Sequence, residues 1–484
     1  MHTNLSAGAV AAEPIAEAQD LADLPLCGEA GPAPVSVIRS VAQGPLGSME
    51  HFTALRRKIQ GSTAKVGVVG LGYVGLPLAC ALAEQGYGVT GFEVDAEKAQ
   101  RIRDGLSYIG DVRDEDLRRA LAGQRLKATT DFALLGEQDA VIICVPTPLR
   151  KSKDPDISYI VAATRQIEQT LRPGQLVVLE STTYPGTTRD ILLPAFSRKG
   201  FRVGWEFFLG FSPERVDPGN KKYKIHNTPK VVGGATPRCL ELCALLYGKV
   251  ARQVFRVSSL EVAEMTKLLE NTFRAVNIAM VNEMAMMCGR LGIDICEVVE
   301  AAKSKPFGYM PFYPGPGIGG HCIPLDPHYL AWKMRTLNFE PRFIELAGAI
   351  NSRMPEYVVE RAEDILNLRQ GKALSRARIL VLGVSYKKDV PDMRESPAVE
   401  VIEHLRHKKA EVSYHDPHLP ALQIRGRELR SVALDAKSLS AADLALVVTD
   451  HSAVDYDLVA RQARLVLDTR NVFGGRANGN IFRL

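Results

Sequence analysis

The residues from Phe312 to Pro327 (Phe-Tyr-Pro-Gly-Pro-Gly-Ile-Gly-Gly-His-Cys-Ile-Pro-Leu-Asp-Pro) hold so much glycine and proline that they predict neither helix nor strand. They predict a loop with special dihedrals. Gly319 and Gly320 stand just before His321 and Cys322. Backbone N–H groups brought close to a thiol suit nucleophilic attack with stabilisation of the resulting oxyanion. Cys322 is therefore the candidate nucleophile. The other cysteines lie mostly in apolar contexts and read as inert packing thiols. His321, Cys322 and His328 match no zinc spacing, and Cys239 with Cys243 offers only two ligands, so no metal is expected.

A second constellation is Gly70-Leu71-Gly72-Tyr73-Val74-Gly75, a G-x-G-x-x-G that follows a β-rich run and opens an amphipathic helix. Gly70 makes the tight turn, Gly72 lets backbone approach a pyrophosphate, and Gly75 allows close helix–strand packing. The helix N-terminus faces the phosphates. Glu93, at the end of the next predicted strand, would accept the ribose hydroxyls, with Asp95 as the competing acid. A carboxylate there repels a 2′-phosphate, so the expected cofactor is NAD rather than NADP. A third pair, Lys267 and Asn271, is four residues apart and shares one helix face. A lysine can stabilise an alkoxide there and an amide can orient it.

Strands are predicted at 65–69, 89–94, 140–145 and 176–180, alternating with helices, which implies a parallel doubly wound sheet. A new texture begins at Ser258, where Ser258 and Glu261 suggest a capping box. Leu260, Met265, Leu268, Leu269, Phe273, Val276 and Met284 then recur at helical spacing, predicting one long helix that ends near Gly289 or Gly292. Such a helix could connect domains or carry a dimer interface. Strands return at 379–384, 410–414, 444–448 and 464–467. The fold class expected is α/β, two Rossmann-like doubly wound domains joined by a long central helix and a helical middle domain. The boundaries are 61–257, 258–372 and 373–484, after a disordered extension at 1–60.

The 484 residues are 46% apolar and 24% charged with a net charge of only +5, which excludes a disordered chain and argues against nucleic acid or an anionic membrane as partner. No apolar run approaches the ~18 residues of a membrane span. The extension carries Glu13, Glu17, Asp20, Asp23 and Glu29 but no Lys or Arg before Arg39, unlike a secretory or organelle leader. Eight cysteines without framework spacing suggest a reducing compartment, and a cytoplasmic protein is expected.

Taken in order, these motifs resemble the UDP-glucose/GDP-mannose dehydrogenase family from about Lys65 onward. They are the glycine-rich start, Cys-Val-Pro-Thr-Pro at 144–148, Glu-Ser-Thr-Thr-Tyr-Pro-Gly-Thr at 180–187 and Ser-Pro-Glu-Arg at 212–215. Glu-Met-Thr-Lys-Leu-Leu-Glu-Asn at 264–271, Gly-Gly-His-Cys at 319–322 and Tyr-Lys-Lys-Asp at 386–389 complete the set. The resemblance implies a four-electron oxidation of a UDP-sugar C6 alcohol to a carboxylate with NAD, through a thiohemiacetal and thioester on Cys322. It implies Lys267 for the oxyanion, Asn271 and Asp326 for orientation, Glu214 as acid/base and Thr182 for the water. It also implies cofactor contacts from Tyr73, Val74, Lys98, Thr147, Thr182 and Arg394. Substrate contacts are implied for Glu214, Arg215, Lys267, Asn271, Tyr313, Gly315, Gly319 and Lys387, and a homodimer is expected. Residues 212–220 and 305–317 look most like UDP-N-acetyl-D-glucosamine 6-dehydrogenases of polysaccharide biosynthesis. UDP-glucose members carry an arginine upstream of the cysteine, and here none lies between Arg290 and Arg335. UDP-glucose and UDP-N-acetylmannosamine remain the alternative substrates, and a two-electron hydroxyacid dehydrogenase shares the general plan.

Overall fold

The computed structural model describes residues 48–150, 154–217, 219–220, 222–475 and 479–484. The first sheet comprises β1 (Lys65–Val69), β2 (Gly88–Phe92), β3 (Leu126–Thr129), β4 (Ala140–Ile143), β5 (Gln175–Leu179), β6 (Phe207–Phe211), β7 (Lys230–Gly234) and β8 (Val254–Arg256). Its strand order is β3-β2-β1-β4-β5-β6-β7-β8, parallel except between β6 and β7. β4, β5 and β6 are buried along their whole length, as sheets covered on both faces require. The order reverses beside β1, between β2 and β4, where such sheets open a crevice at their C-terminal ends.

The second sheet repeats this plan. After β9 (Arg378–Leu382) and β10 (Glu411–His415) come an antiparallel hairpin, β11 (Ala421–Ile424) with β12 (Arg427–Arg430), and then β13 (Leu444–Val447), β14 (Val466–Asp468) and β15 (Ile481–Arg483). The sheet order β10-β9-β13-β14-β15 is parallel throughout. The turn after the first strand is also shared: Gly70 N–H bonds Phe92 O at 2.8 Å, and Gly383 N–H bonds His415 O at 2.9 Å. Both expected doubly wound units are present.

Between them runs the helix Leu260–Leu291, 32 residues long. Its cap is Ser259, not Ser258: the Ser259 hydroxyl accepts the Val262 N–H. Gly292 ends it in the left-handed conformation at φ 70°, which costs glycine nothing. The expected apolar face divides. Leu260 and Leu268 are buried, but Met265, Leu269, Phe273 and Met284 are exposed. The small residues Ala263, Ala275, Ala279 and Ala285 are buried instead; Ala263 packs against Gly233 of β7, and the helix Arg342–Gln370 packs along the long helix. Between these two helices, Asn351 Nδ2 donates to the Ala275 carbonyl at 3.1 Å, and Asn282 donates to Asn351 at 3.0 Å. Asn282 Oδ1 also accepts the Gly315 N–H at 3.0 Å, so the glycine-rich loop is pinned to the long helix.

The extension needs one correction. Residues 1–47 lie outside the described residues, but Ser48–Gln60 forms a helix that buries Phe52, Leu55 and Ile59. These apolar positions fall three and four residues apart and so share one helix face, while Arg56 and Arg57 between them face solvent. Lys58 reaches Asp139 at 2.8 Å, and Tyr87 OH donates to the Ile59 carbonyl at 2.7 Å. No helix among the described residues is long and apolar enough to cross a membrane.

Candidate active site

At the end of β1, Gly70 takes φ 89°, and a Cβ there would lie 2.7 Å from the Cys144 carbonyl oxygen after β4. A Cβ on Gly75 would come within 1.9 Å of Gly70 O, whereas one on Gly72 would meet nothing. Two glycines thus let the turn close on the sheet, and the third leaves bare backbone open to the crevice. The buried Glu93 carboxylate accepts the N–H of Leu71 at 3.2 Å and of Asp95 at 3.3 Å. Asp95 is committed elsewhere, capping the helix Ala96–Arg103 through the N–H groups of Glu97 and Lys98. Lys98 lies 3.7 Å from Asp95. A bare glycine backbone, the start of the helix Gly75–Glu84 after Val74, and an acid at the end of β2 fit a dinucleotide.

The central helix supplies the next layer. Lys267 Nζ donates to Thr182 Oγ1 at 2.5 Å and stands 3.9 Å from Asp326 Oδ2. Asn271, one turn on, donates to Asp326 at 2.5 Å. Asp326 is the first residue of the helix Asp326–Arg335 that follows the cysteine loop, and its N–H bonds Cys322 O at 2.8 Å. The loop and the helix face are therefore tied at both residues. Burial raises the Asp326 carboxyl to about 6 against the pull of Lys267 and Asn271. Burial alone would lower Lys267, but Asp326, Cys322 and Glu214 raise it, so it stays an ammonium. Cys322 opens to the cleft, yet its surroundings desolvate the thiol and push it up to about 11 while Lys267 opposes the rise.

Glu214 follows β6. Its Oε1 accepts the N–H of Arg215 at 3.0 Å and of Val216 at 2.6 Å, and its Oε2 accepts from Lys230 at 2.6 Å. Burial pulls Glu214 upward, but Lys230 and these donors hold it well below the ordinary range. Glu180 and Lys230 are polar groups the sequence reading overlooked. Their signal was a charge at the edge of an otherwise apolar strand, which must find a partner when buried.

The C-terminal unit closes the cleft. Arg394 stacks over the Tyr73 ring with 4.9 Å to its centroid and grips Asp392 at 2.7 Å. Lys387 pairs with Asp217 at 2.7 Å. Arg215, expected at the substrate, is bound at 2.6 Å to Glu270 on the long helix. Tyr313 OH donates to Glu300 at 2.5 Å. The Thr147 carbonyl accepts from Tyr329 OH at 2.9 Å. Gly315 and Gly319 are spaces rather than contacts. A Cβ on Gly315 would sit 2.7 Å from Arg470 Nη1, and one on Gly319 would sit 2.7 Å from Glu395 O. Arg470, also missed in the sequence, is bonded to the Val448 carbonyl at 2.8 Å. Every expected site residue except Gly75 and Asp326 lines one cleft of about 2240 Å³. That exceeds the roughly 300–1,000 Å³ of a single small-molecule site and leaves room for two large ligands.

Three family profiles match the chain in succession. The NAD binding domain of the UDP-glucose/GDP-mannose dehydrogenase family matches residues 64–251, its central domain 261–353 and its UDP binding domain 380–475. The chain belongs to the UDP-glucose/GDP-mannose dehydrogenase family. It is an NAD-dependent UDP-sugar dehydrogenase. Among its relatives in the family, the UDP-N-acetyl-D-glucosamine 6-dehydrogenase of Pseudomonas aeruginosa is 36% identical over 74% of this chain and 83% of that protein. The Salmonella typhi enzyme of the same name is 34% identical over 80% and 90%. A solved UDP-D-ManNAc dehydrogenase from Pyrococcus horikoshii superposes with a TM-score of 0.79 at 33% identity, covering 87% of this chain and 98% of that one.

Proposed function

We propose that this enzyme oxidises the C6 hydroxyl of UDP-N-acetyl-D-glucosamine to the carboxylate, and that Cys322 carries the intermediate. The observation supporting this is the convergence of Cys322, Lys267, Thr182, Asn271 and Glu214 on one cleft, with Asp326 bonded to Asn271 behind them. When bound, NAD supplies the hydride acceptor at both oxidation levels, held by Gly70, Gly72, Tyr73, Val74, Glu93, Lys98, Thr147 and Arg394. Gly75 acts indirectly, by letting the loop close. Lys267 stabilises the C6 alkoxide as its proton is released to solvent, then the oxyanion formed when the Cys322 sulfur bonds to the aldehyde carbon. The thiol proton moves to Glu214 and from there to that oxygen, giving a neutral thiohemiacetal. In the second oxidation its C6 hydride would go to the cofactor and its hydroxyl proton to solvent, which leaves a thioester. Water on Thr182 then breaks the carbon–sulfur bond, releasing the carboxylate and restoring the thiol. Lys267 uses an acceptor lone pair of Thr182 Oγ1, so the Thr182 hydroxyl proton is left to orient that water.

Lys387 and Arg470 are the cations we assign to the UDP side, with Arg215, Tyr313, Gly315 and Gly319 shaping the sugar pocket. The names of the Pseudomonas and Salmonella relatives favour N-acetylglucosamine, and the absence of arginine between Arg290 and Arg335 argues against UDP-glucose. The likeness to the Pyrococcus structure makes UDP-N-acetylmannosamine the second reading. A UDP-sugar panel followed by NADH absorbance tests both. UDP-N-acetyl-D-glucosamine should give two NADH per sugar; turnover of another sugar alone refutes the substrate, and one NADH per sugar refutes the thioester route.

The same reading extends to assembly and pathway. Met265, Leu269, Phe273, Met280, Met284, Met287 and Leu291 form an exposed apolar stripe on one face of the long helix, three, four or seven residues apart. A second copy of the chain is the partner we assign to it, making a homodimer. We place the uronate product in polysaccharide biosynthesis, and the enzyme in the cytoplasm, where Cys322 stays reduced.

A further inference from the structure

Linked to Glu214 is a line of buried polar groups that takes no direct part in the chemistry above. Tyr247 OH, at the end of the helix Pro237–Tyr247, donates to Glu180 Oε2 at 2.5 Å. Glu180 Oε1 accepts from Lys230 Nζ, and Lys230 Nζ also donates to Glu214 Oε2 at 2.6 Å. Four elements contribute: Glu180 follows β5, Lys230 opens β7, Glu214 follows β6, and Tyr247 ends a helix. The Lys230 side chain is 2% exposed and that of Glu180 0%. Replacing such a buried ionic group with well-packed apolar residues often leaves stability unchanged or improved. Stability is thus a weak account of it.

Two carboxylates and one ammonium, shut away from water, favour keeping one extra proton. The bonds say where it sits. Glu214 has two backbone N–H groups besides Lys230, whereas Glu180 shares Lys230 and has only a phenol hydroxyl. The other titratable groups facing the line are Cys144 after β4, Cys243 beside Tyr247, Lys267 on the long helix and Cys322 in the glycine-rich loop. Burial and the neighbouring Glu214 raise Glu180 although Lys230 opposes them.

We propose that Lys230 is a positioning residue for Glu214, fixing its carboxylate at the cleft as an anion and leaving the shared proton on Glu180, which acts as a reserve behind the site. This rests on the reading of Glu214 as the proton-transfer group. The native enzyme is first assayed with UDP-N-acetyl-D-glucosamine, UDP-N-acetylmannosamine and UDP-glucose. A wrong sugar then shows in the native enzyme, and a wrong positioning role shows only in the variants. With the sugar that turns over, Lys230→Met should lower kcat by about tenfold or more with KM little changed, a loss typical of removing a group that orients a reacting one. Its acid limb in the kcat–pH profile should move to higher pH, and Lys230→Arg should recover most of kcat. Glu180→Gln keeps an oxygen for Lys230 and should lose one ionisation from the profile. A folded Lys230→Met with the native acid limb overturns the proposal, whether or not kcat falls. If circular dichroism shows that Lys230→Met does not fold, Glu180→Gln decides: a native profile overturns the proposal, and a lost ionisation supports it.

Discussion

Lys267→Met keeps the volume of the side chain and removes its charge, which tests whether that ammonium both stabilises the reacting oxygen and keeps Asp326 ionised. Lys267 is 3.9 Å from Asp326, and Asp326 is buried with Asn271 as its other partner. At an effective dielectric of about 20, two unit charges at that distance attract by roughly 4 kcal/mol, about a thousandfold in proton affinity. Asp326 already stands at about 6, raised by burial. Without Lys267 it should hold its proton through neutral pH. A carboxyl whose folded value is raised stabilises the fold at low pH and loses that contribution as pH rises through the folded value. In the native protein that loss falls around pH 6 and below; in Lys267→Met its upper end should extend above neutrality. Loss of the oxyanion partner should lower kcat by roughly 10²–10³. Stopped-flow NADH formation measures the rate, and isothermal titration measures cofactor and sugar affinity, which should stay close to native. A folded variant within tenfold of native kcat, with an unchanged pH profile, would refute the oxyanion role.

Three further outcomes follow from the same geometry. Cys322→Ser should bind NAD and UDP-sugar nearly normally yet lose steady-state uronate production, because a serine hydroxyl is a weaker acid and a weaker nucleophile than the thiol; near-native uronate output would remove the thioester. Glu93→Gln should relax the preference for NAD over NADP by about tenfold or more, roughly 1.4 kcal/mol, since repulsion of the 2′-phosphate is lost; a native ratio of kcat/KM values would reassign the ribose acid. A chain starting at residue 61 loses the burial of Phe52, Leu55 and Ile59, worth up to about 5–9 kcal/mol, against a typical total of about 5–15 kcal/mol. It should melt well below a chain starting at residue 48, and equal melting temperatures would show that this helix adds nothing.

What could be read in the sequence was whatever chemistry forces onto neighbouring residues. The glycine turn at Gly70 and the loop before Cys322 are local, so their residue types betray their dihedrals. The strands β1, β4 and β5 were legible as short apolar runs, whereas β6, β7 and β8 were not placed. Their pairing includes an antiparallel reversal that follows a long loop, and no local period announces it. The helix Leu260–Leu291 shows the limit from the other side. Periodicity there identified residues that share a face, but not what covers the face: Leu268 meets the protein interior, while Leu269 and Phe273 meet solvent. Burial depends on the second surface, and that surface is distant in the chain or belongs to another copy of it. The Glu180–Lys230–Glu214 line has the same origin. Each charge taken alone looks misplaced beside an apolar strand, and each is accounted for once β5, β6 and β7 lie side by side in the sheet. A charge that local pattern leaves unexplained is thus a pointer to long-range pairing, and here the pairing runs directly to the wall of the active site.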